Sequence, residues 1–130
     1  MQAYAITDVG VRRATNQDYI FASTKRVGSL DNLFILADGM GGHNAGDFAS
    51  RYLVEHLVKF FGKSQPDKDV HSILKEGIRQ VNRSLYQEAS QSASLQGAGS
   101  TLVLATVRGD VLVKEAVDAQ GRELAEHECA

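Results

Sequence analysis

Two stretches of this chain carry residue types whose spacing could do chemistry. In Phe34-Ile35-Leu36-Ala37-Asp38-Gly39-Met40-Gly41-Gly42-His43, an apolar run ends abruptly in an aspartate that is followed by glycines at 39, 41 and 42. The run reads as a buried strand, and the glycines as a backbone bent too sharply for side chains. One carboxylate then stands at the exposed end of a rigid element with bare peptide groups beside it, a geometry suited to a metal ion or a phosphate. The same residues also describe a strand-ending Asp that caps a glycine turn. Upstream, residues 7–18 hold Arg12, Arg13, Asn16, Gln17 and Asp18 within a few positions. A guanidinium suits phosphate because its planar fork donates two parallel hydrogen bonds. A surface loop whose Arg and Asp neutralise one another is the alternative.

The elements that must position these groups follow from hydrophobic period. Residues 2–8 alternate weakly and predict a strand; Asp18 to Ser23 predicts a second and Leu33 to Ala37 a third, with the polar, Gly28-containing stretch from Thr24 to Asn32 as a hairpin connection. Beyond the glycines the period changes. Ala45, Phe48, Ala49, Tyr52, Leu53, His56, Leu57, Phe60 and Phe61 mark the stripe of an amphipathic helix ended by Gly62. His56 belongs to this stripe as a satisfied histidine, with no second ligand at i+4. After Pro66, with Asp67 or Asp69 as N-cap, a second helix places Val70, Ile73, Leu74, Ile78, Val81, Leu85 and Ala89 toward the core. Its Gly77 costs about 1 kcal/mol relative to Ala unless close packing demands it. Residues 91–100 read as a loop. Thr101 to Val107 and Val111 to Val113 form a hairpin through Gly109-Asp110. From Lys114 the chain is charged and without period 2, which predicts a poorly anchored turn of helix or a disordered end. The order of elements favours α+β over a βαβ alternation.

Bulk properties exclude several classes. With 130 residues, 43% of them hydrophobic, the chain can build one real core. Fourteen Lys and Arg against 16 Asp and Glu, with no basic block, argue against nucleic acid as a partner. No apolar stretch approaches the roughly 20 residues needed to cross a bilayer, and the N-terminus lacks the regions of a signal peptide. Cys129 is the single cysteine, so no disulfide framework or thiolate metal site exists. A cytoplasmic protein without membrane partners is expected.

Taken together, the two polar stretches resemble a known family. Thr7-Asp8-x-Gly10-x-x-Arg13-x-x-Asn16-Gln17-Asp18, followed by Ala37-Asp38-Gly39-Met40-Gly41-Gly42-His43-x-x-Gly46-x-x-Ala49-Ser50, is similar to the metal-dependent protein serine/threonine phosphatases of the type 2C (PPM) class, and most to bacterial members. Gly99-Ser100-Thr101-Leu102 resembles the Gly-Thr-Thr-Leu strand entry of that family. The resemblance implies an α/β/β/α sandwich of two antiparallel sheets flanked by helices, with two Mn²⁺ or Mg²⁺ ions between the sheets. By motif position Asp38 would bridge both metals, Gly39 would offer its carbonyl, Asp18 would hold a metal through a water, and Arg13 would clamp the substrate phosphate. The implied activity is hydrolysis of phosphoserine and phosphothreonine in proteins by a water that the two metals activate. A P-loop is excluded, because Gly42-His43-Asn44 stands where Gly-Lys-Ser/Thr would be required.

The chain also departs from the family pattern. Gln17 stands where many members have a metal-binding Glu, so weaker metal affinity is expected there, since an amide oxygen brings no charge. Met40 stands where eukaryotic members carry a histidine proposed as general acid; His43, the nearest imidazole, is read as shaping the loop. Only the N-terminal half of the family domain, residues 1–113, is matched. The stretch from Lys114 to Glu123 differs from the family's Gly-Asp-Ser-Arg strand, Asp118 reads as a surface carboxylate, and residues 114–130 form a divergent tail. Two further metal-holding aspartates of the family are therefore missing. The open edges and apolar face of such a sheet favour self-association or a completing polypeptide. A catalytically inactive remnant or interaction module of the same fold is the alternative function.

Overall fold

The computed structural model describes residues 11–15, 18–40, 43–65, 69–95, 99–108, 111–117 and 123–129. Their strands form one six-stranded antiparallel sheet in sequential order: β1 (Val11–Thr15), β2 (Asp18–Ser23), β3 (Leu33–Met40), β4 (Gly99–Arg108), β5 (Val111–Val117) and β6 (Glu123–Cys129). Between β3 and β4 the chain leaves the sheet for two helices, α1 (His43–Gly62) and α2 (Val70–Ser90), and a short 3-10 turn at Ala93–Leu95.

The pleat of β3 explains the layering. Leu33, Ile35 and Ala37 are buried against the helices, whereas Leu36 and Asp38 point to the other face and are exposed. Leu102 and Leu104 of β4 and Phe21 of β2 join the buried side. Ala49, Leu53, Val54, Leu57 and Phe61 of α1 close over them, and Ile73, Leu74, Ile78, Val81 and Leu85 of α2 complete the same core. Every apolar position predicted for α2 is buried or packed against this cluster. Asp69 is the α2 N-cap, its carboxylate accepting from the Ser72 N–H at 3.3 Å. Gly77 has the packing reason it needs: a Cβ there would sit 2.6 Å from Phe61 Cε1. Asn32 fastens the far end of β3 to β4, donating to the Val107 carbonyl at 2.7 Å and accepting from the Val107 N–H at 2.8 Å.

The arrangement is α+β, and the described residues supply one sheet with its helical layer. Two local expectations change. The predicted strand at residues 2–8 lies outside the described residues, and the polar stretch after it contains strand β1, the first of the described sheet, in place of a surface loop. The tail expectation is also corrected: residues 114–117 continue β5, and Glu123–Cys129 pair with it as β6. Backbone hydrogen bonds to a free sheet edge do not require the apolar alternation on which the sequence reading relied. Among the described residues no helix is long and apolar enough to cross a membrane.

Candidate active site

Register brings the two aspartates together. Asp18, the first residue of β2, lies directly opposite Asp38 near the end of β3, and on the other side Asp38 lies opposite Thr101 of β4. Directly paired residues share a face, so Asp18, Asp38 and Thr101 form a polar row across three strands. The rows behind it on that face are apolar: Ile20, Leu36 and Val103, then Ala22, Phe34 and Ala105.

The carboxylates interact. A hydrogen bond with Asp18, then partial desolvation, then the charge of Asp18 hold the Asp38 carboxyl above its ordinary range. Two like charges on adjacent strands repel, and a cation between them would offset that repulsion. Hard oxygen donors on an exposed face fit a divalent ion such as Mn²⁺ or Mg²⁺. Among the described residues no third His, Cys, Asp or Glu joins them.

The backbone around Asp38 is held from behind. A Cβ on Gly39 would overlap the carbonyl of Gly46 in the first turn of α1, so the glycine is required by close approach of strand and helix. The buried Ser50 hydroxyl donates to that Gly46 carbonyl at 3.0 Å. Next to Asp18, the Tyr19 hydroxyl donates to the Asp47 carboxylate at 3.3 Å and links β2 to α1. The described pairing of β2 with β3 ends at Asp18 and Asp38, one residue before Gly39.

The remaining predicted residues fare unequally. The backbone of Arg13 lies in β1 opposite Tyr19, with a register shift between Arg13 and Thr15; its guanidinium lies outside what the structure describes. Gln17 and Asn16 are outside the described residues. His56 is accounted for structurally: its Nδ1 is 2.9 Å from the Tyr52 carbonyl oxygen, and its ring stacks on Tyr52 at 3.7 Å. The sequence reading treated Thr101 only as a strand entry and missed its place beside Asp38, which register alone reveals. It also missed the Tyr19–Asp47 link. A cleft of about 600 Å³ lined by Phe60, Lys63, Ile73 and Glu76 lies at the opposite end of α1 and does not reach these groups.

Residues 11–116 match the profile of protein phosphatase 2C. The chain belongs to the protein phosphatase 2C family. It is 33% identical over 123 residues to the protein phosphatase PhpP of Streptococcus pneumoniae, a match covering 92% of this chain and 49% of that protein. The chain thus spans about half the length of this relative. Among solved structures it is similar to the serine/threonine phosphatase Stp1 of Staphylococcus aureus, with TM-score 0.69 and 30% identity over 86% of this chain and 44% of that one. It is also similar to the catalytic domain of the serine/threonine protein phosphatase PstP, solved in complex with two manganese ions. That match has TM-score 0.64 and 30% identity over 85% and 44% of the two chains.

Proposed function

We propose that this 2C-family chain takes part in metal-dependent hydrolysis of phosphoserine and phosphothreonine in proteins. The observation that carries the reading is the juxtaposition of Asp18 and Asp38 on adjacent strands, each at its family-motif position. Manganese in the related PstP structure supports Mn²⁺ as the cofactor, with Mg²⁺ a second hard ion of suitable chemistry. Bound divalent ions supply an acidified water and offset charge on the phosphoryl oxygens. The chain's own residues do the rest. By motif position Asp38 would supply a carboxylate to the ions, Gly39 a backbone carbonyl, Gln17 a neutral amide oxygen and Asp18 an acceptor for a water beside them. Arg13 would hold the phosphate by its guanidinium fork and orient it for in-line attack. The single cysteine fits a reducing, cytoplasmic compartment.

The deciding experiment is hydrolysis of a phosphate monoester with and without Mn²⁺. Turnover is expected to require the metal and to vanish in Asp38→Ala; wild-type turnover no higher than that variant overturns the reading. One observation favours a second, non-catalytic reading as an interaction module: only two carboxylates meet at the site among the described residues. A completing polypeptide or a second copy that supplies further carboxylates would separate the readings, since turnover would then appear only in the assembled form.

A further inference from the structure

We propose that Tyr19 and Asp47 are positioning residues for the Asp18–Asp38 pair, and that the N-terminal end of α1 is the template on which both aspartates are spaced; the inference rests on the metal reading of that pair. Side chains alternate along a strand, so the residue after each aspartate points to the helical side while the aspartate points away. In keeping with this, Tyr19 pairs with fully buried Ala37 and packs against the core. Both following residues seat on consecutive residues of α1. Gly39 lies against Gly46, where a Cβ would overlap the carbonyl, and the Tyr19 hydroxyl donates to the Asp47 carboxylate at 3.3 Å. The buried Ser50 hydroxyl ties the two seats together, donating to the Gly46 carbonyl at 3.0 Å and to that of Asp47 at 3.3 Å.

This arrangement meets a need of the pair. Strand pairing fixes the register of Asp18 against Asp38, but the twist between neighbouring strands is variable. Ionised carboxylates on one face repel and act to splay β2 from β3 on that face. The Tyr19–Asp47 bond holds β2 from the opposite face, to the same helix that Gly39 contacts from β3. An ion taken between the carboxylates needs their oxygens at a set spacing, because hard cations bind oxygen within a narrow range of distances. Tyr19 and Asp47 meet on the helical side of the sheet, so they act through Asp18 and do not ligate the ion.

Calorimetric titration of the full chain with Mn²⁺, together with its thermal midpoint, tests this. Tyr19→Phe keeps the ring packing but removes the donor. Mn²⁺ affinity is expected to fall roughly tenfold, the lower end of the loss typical of an outer-shell partner. Asp47→Asn weakens the acceptor and should lower affinity in the same direction. Combining the two should bind no worse than Tyr19→Phe alone, because the bond is then already absent. Asn32→Ala, which lowers stability at the far end of β3, should bind like wild type. If Asp38→Ala abolishes binding while Tyr19→Phe binds like wild type, the positioning role is overturned and the metal reading stands. Additive losses in the double variant overturn the role, because the two residues then act apart. An equal loss in Asn32→Ala also overturns it, because lost stability then explains the effect. If wild type binds no Mn²⁺ in an Asp38-dependent manner, the metal reading falls and the inference falls with it.

Discussion

Asp38 carries opposing demands at the residue scale. Its carboxyl is held above its ordinary range chiefly by the hydrogen bond with Asp18, with desolvation and the charge of Asp18 adding in the same direction. A raised folded-state value means that folding favours the acid form more than the unfolded chain does. The contribution to stability is therefore fully present below the ordinary carboxylate pKa and is lost as pH rises through the raised value. Urea midpoints of the metal-free protein should decline over that acidic window in wild type, while Asp38→Asn, which has no proton to lose there, should show a flatter profile. Parallel profiles would show that the Asp38 carboxyl is not the group responsible. A cation competes for the same oxygens, so metal affinity should rise with pH over the window. At the adjacent position, Gln17→Glu should tighten Mn²⁺ binding by adding a formal charge to the ligand set; an equal or weaker affinity by titration calorimetry would remove the amide as the cause of weak binding. Both aspartates were legible in the sequence because a carboxylate ending an apolar run, or ending a motif, marks itself. The place of Thr101 beside Asp38 was not legible, because it comes from a register set by pairing across 63 residues of chain.

The elements themselves show which local signals suffice. Both helices were readable from period alone, since an apolar stripe facing a sheet is a strong constraint. Strands β1 and β6 were not: the first carries arginines and the second alternates weakly, and each is held by backbone pairing to a neighbour. Two substitutions probe the junctions that place the site. Gly39→Ala would drive a Cβ into the Gly46 carbonyl, and separating strand from helix is expected to cost about 1–3 kcal/mol, the usual range for overpacking. Chemical denaturation would measure it, and an unchanged midpoint would mean that β3 can shift away from α1 without loss. At the other end of β3, Asn32→Ala leaves both polar groups of the Val107 backbone without their side-chain partner. Because Val107 is half-buried, a loss of about 1–3 kcal/mol is expected, with metal affinity unchanged because the junction is remote from Asp38. A smaller loss in the same denaturation measurement would indicate that water replaces the amide.

At the scale of the whole molecule, the helices cover one face of the sheet, and on the other face Leu36 and Val103 are exposed. Leu36 and Val103 are direct cross-strand neighbours there, with relative exposures of 43% and 42%, and half-buried Ile20 flanks them. Isolated exposed leucines are ordinary, but a contiguous apolar row beside a candidate centre is a surface that gains by being covered. The sequence reading anticipated an apolar face; which residues form it required the register, since a one-residue slip would have exchanged Leu36 for Ile35. Self-association through this face is expected to rise with protein concentration in sedimentation velocity. Leu36→Lys with Val103→Lys should suppress it at little cost in folding stability, because both side chains already meet solvent and lysine stems can lie along the sheet. A charge-matched double substitution on the outer surface of α2, Tyr86→Lys with Gln87→Lys, changes exposed side chains away from that face and should leave the association intact. Equal suppression by both pairs would point to net charge as the cause, and an unassociated wild type across the concentration range would show that the open row is too small to hold two copies together.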